Sequence, residues 1–405
     1  MTVHPSSLVC LTTSAAFGGA ETSLVTLLTA LRALDRARRI TVVTPGPGPL
    51  PDRCRALGFE PIELPFPASL NELGESGAIA GGGIVKKAEL IGQLLRTTVA
   101  LPGYVASLRR VLREAGATVV HSNGLKAHVA AALAKPASTR LVWHLHDYVS
   151  RRPVSAALLR RLARRADVIV ANSDSVLRDA ATVVGSGPSL RRIHNAVDPG
   201  VFSPDGPPLD LASLSGLRPD TGLVRIGLVS TFARWKGHDV FLDAIARLRS
   251  RRTVRAYIVG GAVYQTVGSQ WSPGELQARA AARGLSDTVG FTGHVADVPA
   301  ALRSLDIVVH ASTEPEPFGM VIAEGMAARR AVVAARTGGA VELFDDRVNA
   351  IGYTPGDAGE LADRLEELVV DGARREAIAA TARTAAIERF SPERMAQAFR
   401  EAYAG

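Results

Sequence analysis

The sequence predicts an α/β protein built of two Rossmann-like, doubly wound domains with a cleft between them, and three observations predict it. Short β-branched runs alternate with Ala/Leu/Arg-rich stretches of helical period, the pattern of an open parallel sheet covered by helices on both faces. The alternation breaks at "DPGVFSPDGPPLD", residues 198–210, dense in Pro, Gly and Asp, and then restarts. At 405 residues and 47% hydrophobic content, the chain is too long for one ordinary core and apolar enough for two.

In the first half the strand candidates are "LVCLT", "ITVVT", "ATVVH", "RLVWHLH" and "DVIVA"; in the second they are "VRIGLVS", "VRAYIVG", "DIVVH" and "AVVAA". Each is followed by a segment of helical character. The expected layout is an N-terminal domain over 1–200, a linker over 201–222, a C-terminal domain over 223–385, and a final helix over 386–405 that packs back on the N-terminal domain.

Charge is unevenly placed. Residues 1–200 carry 24 Lys and Arg against 14 Asp and Glu, a net of +10, and the remainder carries a net of −2. Two cysteines, Cys10 and Cys54, offer neither a disulfide framework nor a CxxC metal site, which fits a reducing cytoplasm. No stretch reaches the roughly 18 apolar residues of a membrane span, and the first residues lack the charged start of an export signal. The expected location is cytoplasmic.

Ligands of open parallel sheets bind beyond the carboxyl ends of the strands, so the loops there carry the chemistry. Gly18 and Gly19 sit where the first strand turns into a helix, and their backbone N–H groups can face an anion or simply make a tight turn. Gly338 and Gly339 repeat the arrangement in the second half. Lys236 and Gly237, with Arg234 nearby, end the loop after "IGLVS" and can present a point charge to a diphosphate or form a solvated basic loop. In "STEPEPFGMVIAEGMAARR", Glu316 precedes a helix expected to start near Phe318, and Glu324 follows about two turns later. Eight helical steps leave an offset of about 80°, so both carboxylates can face one site and accept sugar hydroxyls. The alternative is that Glu316 caps the helix and Glu324 pairs with Arg329 or Arg330.

Taken in order, "FGGAE", "HLHDY", "ADVIVANSDSV", "HNAVDP", "WKGHD", "FTGHV", "EPFGMVIAEGMA" and "TGGAVEL" cover nearly the whole chain, and together they resemble the retaining glycosyltransferases of family 4, which have the GT-B fold. The resemblance implies that the second domain binds a sugar nucleotide, UDP being the commonest carrier, and the first an acceptor, a small molecule or lipid-linked saccharide. It implies that Glu324 holds the ribose, while Glu316 and the backbone of Phe318, Gly319, Met320 and Val321 hold the sugar. Lys236 contacts the diphosphate, helped by the glycine turns at Gly18, Gly19 and Gly260, and His294 lines the base. His146 matches a histidine near the reacting centre, its alternative being a packed strand end; His121 reads as structural. Glu316, Lys236 and His146 are thus the expected catalytic residues.

Two positions depart from the family pattern. Thr231 stands where an Arg is usual, five residues before Lys236, and Arg234 is the candidate to replace its charge. Ala196 stands for a common Gly. The implied reaction keeps the anomeric configuration on one face of the donor and uses no cofactor and no metal, since no Asp-x-Asp pair lies in a plausible donor loop. A 2-epimerase of sugar nucleotides, or a silent sugar-nucleotide binder, are the rival readings on the same architecture.

Arg-heavy, Lys-poor usage points to a high-GC bacterium. Arg151, Arg152, Arg160, Arg161, Arg164 and Arg165, with Lys86, Lys87, Arg109, Arg110 and Arg113 in the stretch 84–116, form basic segments suited to an anionic membrane surface, to an acidic acceptor, or to plain solvent. Nucleic acid is excluded because aromatic residues are not interleaved with them.

Overall fold

Two parallel sheets carry the molecule. The structure is a computed structural model in which residues 7–67, 100–185, 187–219, 221–249, 252–262 and 268–404 are described. Lys86 and Lys87 lie outside them.

The first sheet comprises β1 (Ser7–Thr12), β2 (Arg39–Thr44), β3 (Ile62–Glu63), β4 (Val119–Asn123), β5 (Arg140–Leu145), β6 (Val168–Ala171) and β7 (Ser189–Arg192), in the order β3-β2-β1-β4-β5-β6-β7. The second comprises β8 (Val224–Val229), β9 (Val254–Val259), β10 (Val289–Gly293), β11 (Ile307–His310), β12 (Ala331–Ala335) and β13 (Ile351–Tyr353), in the order β10-β9-β8-β11-β12-β13. Every pairing within the two sheets is parallel. In both, the order reverses between the first and fourth strands, so a crevice opens at their carboxyl ends, between β1 and β4 and between β8 and β11.

The strands read as unbroken apolar runs because both faces are covered. In β1, Val9 and Leu11 face one buried cluster and Leu8 and Cys10 another; in β9, Ala256 and Ile258 alternate with Tyr257 and Val259 in the same way.

The chain divides into one unit of residues Met1–Ala196 with Pro392–Gly405, and a second of Val197–Ser391. The last helix, Pro392–Ala404, completes the first unit. It buries Met395, Phe399 and Tyr403 among the residues of β1 and the helix Gly19–Leu34, its Tyr403 hydroxyl meets His121 Nδ1 at 2.7 Å, and Arg140 Nε donates to Ala402 O at 3.0 Å.

The linker expected over 201–222 is not one. Its Pro, Gly and Asp residues form turns packed onto the second unit: Leu209 N–H donates to Ala300 O at 3.2 Å, Ser304 Oγ donates to Leu209 O at 2.7 Å, and Leu211, 3% exposed, belongs to the second unit's core. The boundary falls at Ala196, which is itself buried in the first unit. No helix among the described residues is long and apolar enough to cross a membrane.

Candidate functional site

In the second unit the loops after β8 and β11 meet at the crevice. After β8 the chain makes a short 3-10 turn, Arg234–Lys236, and leaves it through Gly237 in the left-handed region at φ 75°. A Cβ on Gly237 would stand 1.8 Å from Ala311 O, so only glycine lets the two loops close on each other. Trp235 O accepts the N–H of Thr313 at 2.8 Å. Held in this way, Lys236 Nζ reaches Glu316 Oε2 at 2.7 Å.

Glu316 is 6% exposed. Its Oε2 also accepts from Ser312 Oγ at 2.8 Å and lies 3.2 Å from His310 Nε2. Burial alone would raise this carboxyl, but the Lys236 ammonium and the His310 contact outweigh it and hold Glu316 well below the usual carboxylate range. Glu316 does not cap the following helix, whose N-cap is Gly319 at φ 97°.

That helix, Met320–Ala327, carries Glu324. The alternative pairing with Arg329 or Arg330 is absent: Arg329 bonds Glu376, and Arg330 donates to the carbonyls of Ala328, Arg303 and Leu305. The Glu324 carboxylate is half-buried and has no hydrogen-bond or ion-pair partner among the described residues. Burial therefore pushes it up to about 7, since no partner among the described residues offsets its desolvation.

Phe318 points its ring into the core, edge-on to Phe390 with centroids 6.0 Å apart, and fixes the start of the helix; Met320 and Val321 pack partly against the same core. Gly260 is pressed on Ser230 O, where a Cβ would come within 2.0 Å, and its N–H donates to Gly293 O at 3.0 Å, which brings exposed His294 beside Gly261. Gly339 spends its N–H on Glu316 O at 2.7 Å, so this glycine turn supports the glutamate.

Arg234 is placed otherwise than the sequence suggests. Its guanidinium lies 3.7 Å from the centre of the Trp271 ring and 3.7 Å from Glu275 Oε1, and Arg279 approaches the same ring at 3.8 Å. Arg234 is thus held by Trp271 and Glu275. Thr231 Oγ1 is buried without a partner among the described residues.

In the first unit the crevice between β1 and β4 opens into a cavity of about 150 Å³ lined by Thr12, Ser14, Glu21, Asn123, His146 and Asp147 among others. His146 follows β5, and its Nε2 lies 2.6 Å from Asn123 Oδ1. An amide oxygen only accepts, so the ring proton sits on Nε2; burial pushes the imidazole down to about 4, and it is neutral at neutral pH. Gly18 caps the helix Gly19–Leu34, but its N–H donates to Glu21 Oε2 at 3.1 Å, so the chain's own carboxylate occupies the amide expected to face an anion. His121 is fully buried on Tyr403.

Gly18, Gly19 and His146 thus belong to the first unit, and Lys236, Gly260, His294, Glu316, Phe318, Gly319, Met320, Val321 and Glu324 to the carboxyl ends of the second sheet. Sequence reading missed His310 and Ser312; a histidine ending the otherwise apolar strand "IVVH" was the available signal.

Two families match in sequence: Glycosyltransferase Family 4 over residues 17–201 and Glycosyl transferases group 1 over residues 224–371. The chain belongs to glycosyltransferase family 4. The chain is 33% identical to a lipopolysaccharide core biosynthesis mannosyltransferase, LpcC, of Rhizobium leguminosarum bv. viciae, over 46% of this chain and 50% of that one. It is 34% identical to a D-inositol 3-phosphate glycosyltransferase of Xylanimonas cellulosilytica, over 59% and 57%. The chain spans about half the length of the curated relatives it matches. Among solved structures, HepE of Anabaena, in complex with UDP and glucose, superposes with a TM-score of 0.79 at 27% identity, covering 99% of this chain and 100% of that one. A sucrose-phosphate synthase of Thermosynechococcus elongatus, at 17% identity and a TM-score of 0.75, shares the two-domain GT-B fold.

Proposed function

We propose that the chain transfers a sugar from a nucleoside diphosphate, UDP being the favoured carrier, to a hydroxyl of an acceptor bound by the first unit, with retention at the anomeric carbon and without a metal. The observation that carries this reading is the meeting of Lys236 and Glu316 at the crevice of the second sheet, one helix start away from Glu324, which has no partner among the described residues. A cation for the diphosphate, a carboxylate for the sugar and a carboxylate for the ribose are the three groups a sugar nucleotide asks for. HepE, by its title a UDP and glucose complex, supports UDP.

In the proposed step the bond from the anomeric carbon to the diphosphate oxygen breaks, the acceptor oxygen bonds that carbon on the same face, and the acceptor proton passes to a donor phosphate oxygen. Lys236 neutralises the departing charge. A preorganised donor of this kind contributes on the order of 3 kcal/mol to the transition state. His146, neutral and oriented by Asn123, holds the acceptor.

Calorimetric titration with UDP and UDP-glucose, and with GDP and GDP-mannose, tests the assignment. Glu324→Ala is expected to weaken the free nucleotide and the donor alike, by about tenfold or more, the loss of hydrogen bonds to a charged group. Glu316→Ala is expected to weaken the donor alone. Wild-type affinities in both variants would sink the reading, and activity abolished by chelator and restored by magnesium would sink its metal-free part.

A surface of the first unit suggests where the acceptor comes from. The helix Pro153–Leu162 leaves Val154 58% and Leu158 43% exposed one turn apart, beside exposed Arg161, Arg164 and Arg165. Arg152 pairs with Asp147 at 2.8 Å, and Arg160 Nε donates to Val183 O at 3.1 Å. Arg109 donates to the carbonyls of Leu133 and Ala134. We propose peripheral binding to an anionic membrane, where each basic group contributes about 1 kcal/mol. Co-sedimentation with phosphatidylglycerol vesicles at low salt is expected, lost on replacing Arg161, Arg164 and Arg165 together. Protein left in the supernatant would point to a soluble acceptor.

A further inference from the structure

His310 ends β11 and is 2% exposed. The ladder fixes it in register with Ala334 of β12, and its neighbours in the strand, Ile307, Val308 and Val309, are wholly buried. An imidazole there is costly, because a buried ring nitrogen left without a partner forfeits its hydration. Its Nδ1 has no partner among the described residues. The ring's hydrogen bond is the one from Nε2 to Glu316 Oε2, 3.2 Å away.

Three groups converge on that single oxygen: Lys236 Nζ at 2.7 Å, Ser312 Oγ at 2.8 Å and His310 Nε2 at 3.2 Å. They differ in how firmly they are held. Lys236 comes from the loop after β8 on a four-carbon stem, its side chain 20% exposed. His310 and Ser312 belong to the same strand end as Glu316 and are almost wholly buried. When a diphosphate enters, the Lys236 ammonium is drawn by two anions, and any movement towards the phosphates loosens its hold on Glu316. The two buried donors cannot follow it.

We propose that His310 is a positioning residue, which together with Ser312 keeps the Glu316 carboxylate aimed at the donor sugar while Lys236 turns to the leaving diphosphate. This rests on the reading that Glu316 receives the sugar's hydroxyls. A merely structural histidine would, when removed, loosen the whole crevice and weaken every ligand. A positioning histidine affects the sugar and leaves the nucleotide alone.

The experiment is titration of wild type, His310→Ala, His310→Gln, Ser312→Ala and Glu316→Ala with UDP-glucose and UDP, and with GDP-mannose and GDP. The ratio of donor to free-nucleotide dissociation constants is the readout. For His310→Ala it is expected to rise about tenfold, the worth of one charge-assisted hydrogen bond, with nucleotide affinity unchanged. Ser312→Ala moves it in the same direction, and His310→Gln, whose amide N–H reaches as far as Nε2, restores it. Equal weakening of donor and nucleotide, or no change, overturns the inference. If Glu316→Ala raises the ratio and His310→Ala does not, only the positioning role falls; if Glu316→Ala also leaves it unchanged, or wild type binds neither pair, the donor-site reading falls with it. Should His310→Ala fail to fold, Ser312→Ala and His310→Gln carry the same test.

Discussion

Replacing Lys236 with alanine is expected to lower turnover about a hundredfold or more, because in the proposed reaction the departing diphosphate would lose its preorganised cation. The same change is expected to destabilise the second unit by about 3 kcal/mol, the cost of leaving one partner of a buried ion pair alone. Lys236 and Glu316 are 2.7 Å apart with side chains only 20% and 8% exposed. Without the ammonium, burial dominates at Glu316 and favours its protonated form, so donor binding would become pH-dependent. Arg234→Ala is expected to change turnover by less than about threefold, since its half-exposed guanidinium is engaged with Trp271 and Glu275. Steady-state rates at saturating donor and urea unfolding measure both effects. A Lys236→Ala enzyme with wild-type turnover would remove this residue from the diphosphate.

Mild acid is expected to open the first unit well before the second. His121, His128 and His144 are fully buried. Burial, and then the neighbouring histidines, push all three well down, His121 to about 3. In the unfolded chain each binds a proton near pH 6.5, and in the folded unit none does until far lower. Their favourable contribution is therefore complete above about pH 6.5 and is lost as pH falls below it. At pH 5 each costs about 2 kcal/mol relative to neutral pH, and three together approach the whole stability of an ordinary domain. Glu21, pushed up mainly by burial, offsets part of this. In the second unit His238 is lowered to about 4 by burial, but Glu324, raised to about 7, acts with the opposite sign and gains stability as pH falls. Hydrogen exchange at pH 7.5 and pH 5.0 should show protection lost first across β4 and β5, with His144→Gln flattening the dependence. Parallel loss in both units would refute this account.

The strands legible in the sequence were the central ones. The four missed, β3, β7, β10 and β13, are the outer strands of their sheets. A strand between two neighbours with helices on both faces must be apolar throughout, whereas an outer strand such as Ser189–Arg192, with two exposed residues, has no such demand on it. Glu316 and Glu324 could be read because they share one loop and helix start, and Lys236, 80 residues away, because it ends its own Lys-Gly loop. The position of Arg234 could not, since Trp271, the ring that captures it, lies far along the chain. His121 could be read as structural but its partner could not, because Tyr403 lies 282 residues further along the chain. The stretch 198–210 misled by composition, because turns packed on a surface and turns in a free linker use the same residues.

The return of the helix Pro392–Ala404 to the first unit has a consequence for how the protein is made. A ribosome that has released residues up to 391 has delivered every residue of the second unit but not the helix that closes the core around β1, Leu24 and Leu28. Vectorial synthesis usually lets the amino-terminal domain fold first. Here the later domain can finish first, while the earlier one waits with the face of its sheet that Phe399 and Tyr403 will cover still open to solvent. Nascent chains of increasing length should therefore become protease-resistant in the second unit before the first, and the sheet begun at Ser7 becomes complete only when its last helix leaves the exit tunnel.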